Sequence, residues 1–259
     1  MIGENTMATP IPVFLYHSVA EDDNAYTVAP AEFAAHLALI ADSGRTPLTL
    51  TELSLALRGE RAMPDAAVCL TFDDGYADSR ATIESAVAMG VKATLFVTTG
   101  AVDRPGSITK PDLVSLAAMH GQVELGAHSV THARLDEIRS IDALREITAS
   151  RAALADTIGR EVRSFAYPYG SHSSRVRKLV IDAGFDAAAG VKNALSHTED
   201  DAWAVARVTV TRETSQLRMA MLTRGAGAPL AWRRERLGTR AYRLERIATR
   251  RLAEIGSDR

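Results

Sequence analysis

The chain has 259 residues, 46% of them hydrophobic, enough to bury one large core or two small ones, which excludes a disordered segment and a disulfide-dependent miniature. Its 30 basic and 32 acidic residues nearly cancel, so net charge gives nucleic acid no purchase and none is expected as a partner. The only cysteine, Cys69, rules out an intramolecular disulfide and, inside an apolar run, reads as a buried thiol.

The opening MIGENTMATP has no basic n-region and no apolar h-region after it, and no apolar run reaches the ~18 residues that a membrane helix needs. Cytoplasmic residence is the expectation, with Met7 as a second candidate start. Strands are predicted over residues 12–19, 66–73, 93–98, 123–128, 164–167, 187–191 and 204–210. Most are continuous apolar runs, as strands buried on both faces require. Helical patterns lie between them in PAEFAAHLALIADSG, SRATIESAVAMG, IDALREITASRAALADTIG and SSRVRKLVIDAG, the first two with a glycine stop and the last with a serine start. The alternation continues without repeat or linker to about residue 225, which predicts one α/β domain over residues 1–225.

Residues 226–259 read as a basic amphipathic C-terminal helix. Leu237, Ala241, Leu244, Ala248, Leu252 and Ile255 recur every three or four positions, and from Arg224 onward ten arginines stand against four acidic residues. Two uses stay open: the stripe packs on the domain beneath a solvated basic face, or the helix makes peripheral contact with an anionic membrane, at the inner face of the cell, or with an acidic partner.

Several predicted strands end in polar residues: YHS, TFDDG, GAHS and AYPYG. In a (β/α) barrel such ends, with the loops after them, form the active face. That arrangement would gather His17, Asp73, Asp74, His128 and His132 in one mouth. His128 and His132 are four apart and can converge on one metal ion if the segment turns as a helix begins. Alone the pair is a weak signal. Joined by a carboxylate from another strand end, two neutral nitrogens and one negative oxygen leave a divalent ion one net positive charge and open positions. Adjacent aspartates on an extended segment point to opposite sides, so one of Asp73 and Asp74 can bind the metal while the other takes a proton from the attacking water. The competing explanation is a plain DDG turn.

LTFDDGY, HSVTH and SFAYPYG, in that order, resemble the leading motifs of the polysaccharide deacetylases with a NodB homology domain, also called carbohydrate esterase family 4, over about residues 11–212. The resemblance implies an α/β fold, a distorted, incomplete (β/α) barrel of the NodB type. It also implies a divalent metal, usually zinc, and removal of an N-acetyl group from an acetamido sugar in a polysaccharide, oligosaccharide or glycolipid precursor. By the same resemblance Asp73 is the general base, Asp74, His128 and His132 are the metal ligands, and the backbone N–H of Tyr169, after Pro168, helps hold the oxyanion.

Two departures stand out. Ala166 occupies the place where many members carry the arginine that orients the base, leaving Arg163 and Arg207 as substitutes; Arg207 resembles a late-strand arginine of the PgaB and IcaB type. SQLRMAMLTRG has no histidine where the family usually places its general acid, whereas Tyr16-His17-Ser18 resembles the acid-bearing segment of the circularly permuted PgaB/IcaB-like branch, so His17 is the expected acid. His36, His120, His172 and His197 read as surface or packing residues. Two other functions stay open: an amidohydrolase acting on a small non-sugar amide or ureide, and an inactive saccharide-binding relative.

Overall fold

The computed structural model describes residues 8–232 together with Glu245, Arg246 and Thr249. The apolar runs become parallel strands: β1 (Val13–Tyr16), β2 (Thr46–Leu48), β3 (Ala67–Phe72), β4 (Ala93–Val97), β5 (Val123–Ala127), β6 (Ser164–Ala166), β7 (Ala187–Ala189) and β8 (Val208–Thr209). They line up in the order β7-β6-β5-β4-β3-β1-β8, with β2 beside the first half of β3. The register sets Tyr16 against Phe72, Phe72 against Leu95, Val97 against Ala127 and Ala127 against Phe165. The residues that follow these strands, His17, Asp73, His128 and Tyr167, therefore emerge at one end of the sheet.

The sheet curls into an incomplete barrel. Val205 bridges Ala189 of β7, and three residues later Val208 pairs with Phe14 of β1, so one irregular segment spans the gap between the two edges. The predicted strand over residues 204–210 is thus regular only at β8. The first predicted strand is likewise interrupted at His17, between β1 and the short pair formed by Ser18–Val19 and Thr27–Val28.

Seven helices lie within the described residues: α1 (Pro30–Ala41), α2 (Leu50–Leu57), α3 (Ser79–Ala88), α4 (Lys110–Ala117), α5 (Ser140–Ile158), α6 (Ser174–Asp182) and α7 (Gln216–Thr223). The four helical patterns of the sequence are α1, α3, α5 and α6. Local chemistry marks their ends: proline at the start of α1, left-handed Gly159 closing α5, and the Ser173 side chain accepting from the Val176 N–H at the start of α6. β2 and α2 are too short for periodicity to announce them. Nevertheless α2 has a complete capping box, Thr49 and Glu52 each accepting from the other's backbone N–H.

Two apolar layers result. Between sheet and helices pack Phe14, Tyr16, Phe72, Leu95, Phe165 and their neighbours. Inside the barrel, Val13, Cys69, Phe96, Ala166, Ala187, Ala189 and Val205 meet Leu50 and Leu53 of α2, which closes the floor. Burial pushes the Cys69 thiol well above its ordinary pKa, as suits an inert packing group.

Among the described residues no helix is long and apolar enough to cross a membrane. The predicted tail helix starts differently from its pattern. Leu195 donates to the Pro229 carbonyl at 2.9 Å and accepts from the Ala231 N–H at 2.8 Å, so this stretch is extended alongside Leu195. Glu245, Arg246 and Thr249 are helical, and Arg246 pairs with Glu137 at 3.0 Å. The rest of the predicted helix, with its stripe and its proposed membrane face, lies outside the described residues.

Candidate active site and metal centre

Asp73 follows β3 directly, its N–H donating to the Tyr16 carbonyl at 3.0 Å, and is only 3% exposed. A lone carboxylate there would be too costly to ionise. Its partner is Arg207, 0% exposed, whose Nη1 and Nη2 donate to the two carboxylate oxygens at 2.7 and 2.8 Å. The guanidinium is itself fixed, donating to the Gly190 carbonyl at 2.9 Å and to Thr71 Oγ1 at 3.2 Å. Burial, the strongest single influence, would raise the Asp73 pKa, but the charge and hydrogen bonds of Arg207, together with nearby His128 and His17, hold the carboxyl below the usual carboxylate value. Of the two candidate arginines, then, Arg207 meets Asp73. Arg163 instead forms a surface pair with Asp186 at 2.6 Å.

Asp74 has a different environment, for a reason that strand alternation did not capture. The strand ends at Phe72, and Asp74 adopts left-handed φ (73°), as does Gly75 (79°). A turn, not the pleat of a strand, sends the two aspartate side chains apart. Asp74 Oδ1 lies 3.5 Å from His128 Nε2 and 3.4 Å from His132 Nε2, and one ligand atom from each of the three residues falls within 4.8 Å of the others. The expected helical turn between the histidines is absent as well. α5 begins only at Ser140, and His132 returns to His128 because Ser129 and His132 are left-handed, at φ 63° and 58°.

The donor set fits a divalent cation. His128 Nδ1 donates to the Ala166 carbonyl at 2.8 Å, which turns Nε2 toward the Asp74 oxygen; in the neutral ring a metal requires, that nitrogen carries the lone pair. Two lone pairs opposed in this way are satisfied by a cation between them. Burial, and next the nearby His128, lower the His132 pKa, which keeps that ring in the neutral form a metal requires. Tyr76, not singled out in the sequence, donates to Asp74; burial, the Asp74 charge and that hydrogen bond push its phenol up to about 12.

His17 enters from the neighbouring strand end. Its pKa is lowered by burial and raised in part by the charges of Asp73 and Asp74, which places it within their field. Its Nδ1 is buried without a hydrogen-bond partner among the described residues. The strand before it is anchored by a relay in which Tyr16 Oη donates to His36 Nδ1 and His36 Nε2 donates to the Thr214 carbonyl, each at 3.1 Å. His36 is thus a packing residue.

Tyr169 forms the opposite wall. It is left-handed (φ 59°) and 54% exposed, with its ring 4.5 Å from His132 and the Arg134 guanidinium 3.7 Å above it. The turn is fixed by Gly170, also left-handed, where a Cβ would fall 2.5 Å from Val191. It is further tied down by Ser171, which donates to Asp136 at 2.6 Å. Of the remaining histidines, His197 is buried and bonded to the Ala231 carbonyl, His172 stacks on Tyr167 and His120 contacts Arg160.

The profile of the family described as Polysaccharide deacetylase matches residues 60–188. YxkH of Bacillus subtilis (strain 168) is 24% identical over 201 residues, 77% of this chain and 71% of that protein. Among solved structures, the Streptococcus pyogenes deacetylase PplD in complex with acetate superposes with a TM-score of 0.75 at 18% identity, covering 84% of this chain and 99% of that one. IcaB from Ammonifex degensii superposes at 0.71 and 22% identity, over 83% and 97%. The deacetylase domain of BpsB from Bordetella bronchiseptica gives 0.66 and 18%, over 78% and 96%.

Proposed function

The chain belongs to the polysaccharide deacetylase family, and from that premise we propose that it is a zinc-dependent N-deacetylase of acetamido sugars in a polysaccharide, oligosaccharide or glycolipid precursor. One observation carries the reading: two adjacent carboxylates have been given unlike environments, Asp73 locked in a buried arginine pair and Asp74 facing two imidazole nitrogens. Groups with divided surroundings have divided roles.

Asp74, His128 and His132 would hold the ion, and a divalent cation bound there would supply Lewis-acid polarisation of the amide carbonyl and bring the pKa of water toward about 7. Asp73 is the base that takes the proton from the attacking water. Arg207 keeps it ionised and aimed, since both oxygens are engaged by one planar fork. The Tyr169 N–H, presented by a strained turn, donates to the oxyanion as the carbonyl carbon becomes tetrahedral. His17 gives a proton to the departing amine. The permuted arrangement follows from topology: β1 lies beside β3 in the sheet, so the acid and the base come from neighbouring strand ends although they are far apart in sequence.

The test is release of free amine from N-acetylglucosamine oligomers by zinc-loaded protein, compared with ring ureides and simple acetamides. Amine from the oligomers that disappears on chelation and returns with zinc is the expected result. Turnover of a ureide alone would move the protein to another amide chemistry, and no turnover with zinc bound would make it a binding protein.

A further inference from the structure

The turn that brings His132 back to His128 is costly to form. Ser129 and His132 sit in left-handed backbone, and neither is glycine or asparagine. Such a turn persists only where its surroundings determine it, and here they do so from two sides. On one side the segment after β4 takes the carbonyls: the Thr99 N–H donates to Ser129 O at 3.2 Å and the Gly100 N–H to Val130 O at 2.9 Å. Only glycine allows this approach, because a Cβ at residue 100 would lie 2.5 Å from Val130 O. On the other side one carboxylate takes the donors. Glu146, on α5, accepts the Val130 and Thr131 N–H groups on Oε2 at 2.9 and 2.8 Å and the Thr131 hydroxyl on Oε1 at 2.9 Å. Within the turn, the His132 N–H donates to Ser129 Oγ at 3.0 Å.

We propose that Glu146 is a positioning residue for the metal centre: by clamping the Ser129–His132 turn it presents His132 to the ion and so sets the affinity for zinc. It touches no ligand atom and acts through the backbone between the two histidines. An ionised carboxylate suits the place because it offers two acceptor oxygens and no competing donor to groups that are all donors. Half-buried Glu146 lies on the turn of α5 next to buried Ala143, Ile147 and Ser150, so the helix holds it as firmly as it holds the core. The inference rests on the metal-dependent reading of the site, and the experiment separates the two.

Zinc affinity is measured by chelator competition on the full chain, with a thermal melt of each metal-free variant. Glu146→Ala is expected to lose about 10–100-fold in affinity, the range for removing a group that orients a ligand. Glu146→Asp keeps the charge but not the reach, and should lose affinity too. It carries the test if the alanine variant fails to fold. Glu146→Gln can still accept through its oxygen and should fall between alanine and wild type. Glu52→Ala removes a capping carboxylate on α2, at the barrel floor, and should lower the melting temperature without moving zinc affinity. Unchanged affinity in Glu146→Asp or Glu146→Ala overturns the proposal, as does an equal loss in Glu52→Ala, which would reduce the effect to general destabilisation. Wild-type protein that binds no zinc overturns the metal centre itself and this inference with it.

Discussion

The two ends of the barrel are built on opposite terms. At the floor, α2 lies across the strand starts with a full capping box, Thr51 bonded to Glu124, Lys92 paired with Glu52, and Leu50 and Leu53 fully buried. At the mouth, four of the six non-glycine residues with positive φ among the described residues are gathered: Asp74, Ser129, His132 and Tyr169. A buried ion pair and opposed lone pairs lie there as well. The floor is where local preference and tertiary packing agree. The mouth keeps strain and unbalanced charge because chemistry needs groups aimed at one point, and the rest of the fold offsets that cost.

The largest stability effect of any single change is expected from Arg207→Met. It leaves Asp73 buried and unpaired, so urea unfolding should show a loss of about 3–5 kcal/mol, with turnover falling as well. Wild-type stability in this variant would mean that the pair is not needed to keep Asp73 in place. At the floor, Leu53→Ala should cost about 2–5 kcal/mol in the same assay, from the cavity it opens, while kcat/KM per folded molecule stays put. A kinetic change there would break the contrast between the two ends.

His17→Ala should keep zinc and fold but lose about 10²-fold in turnover, with the basic limb of the pH–rate profile vanishing or moving. Near-normal turnover with an unchanged limb would reduce His17 to a packing residue.

The smallest effect concerns pH. His17 and His132 both have folded-state pKa values lowered from 6.5, first by burial. The unfolded chain therefore binds more protons as the pH falls below that value, so metal-free protein should melt at progressively lower temperature from about pH 6.5 downward. Replacing both histidines by alanine should flatten that slope. A slope left intact would assign it to other groups.

Much of the mouth was legible because its chemistry is local in sequence. DDG and HSVTH name the carboxylates and imidazoles outright, and continuous apolar runs announce the buried parallel strands that carry them. What the residues did not reveal depends on long-range geometry. Arg207, favoured only by a resemblance, and Arg163 both stayed candidates until the closing segment set Arg207 across from Asp73, 134 positions away in the chain. The positive φ of Asp74 replaced the strand alternation expected to separate the aspartates. Glu146 and Tyr76 carried no motif of their own, and α2, eight residues long, was too short for a period. The extended stretch at Pro229–Ala231 arises from pairing with Leu195, which overrode the helical pattern at its start.

Asp73 and Asp74, adjacent in sequence, are assigned different work, and zinc content measured alongside turnover in two isosteric variants tests that division directly. Asp73→Asn should retain zinc at the wild-type stoichiometry while turnover drops by about 10²-fold or more, as expected for loss of a base. Asp74→Asn should lose both zinc and turnover. Equal zinc loss in the two variants, or zinc retained in Asp74→Asn, would contradict the division of roles on which the proposed mechanism stands.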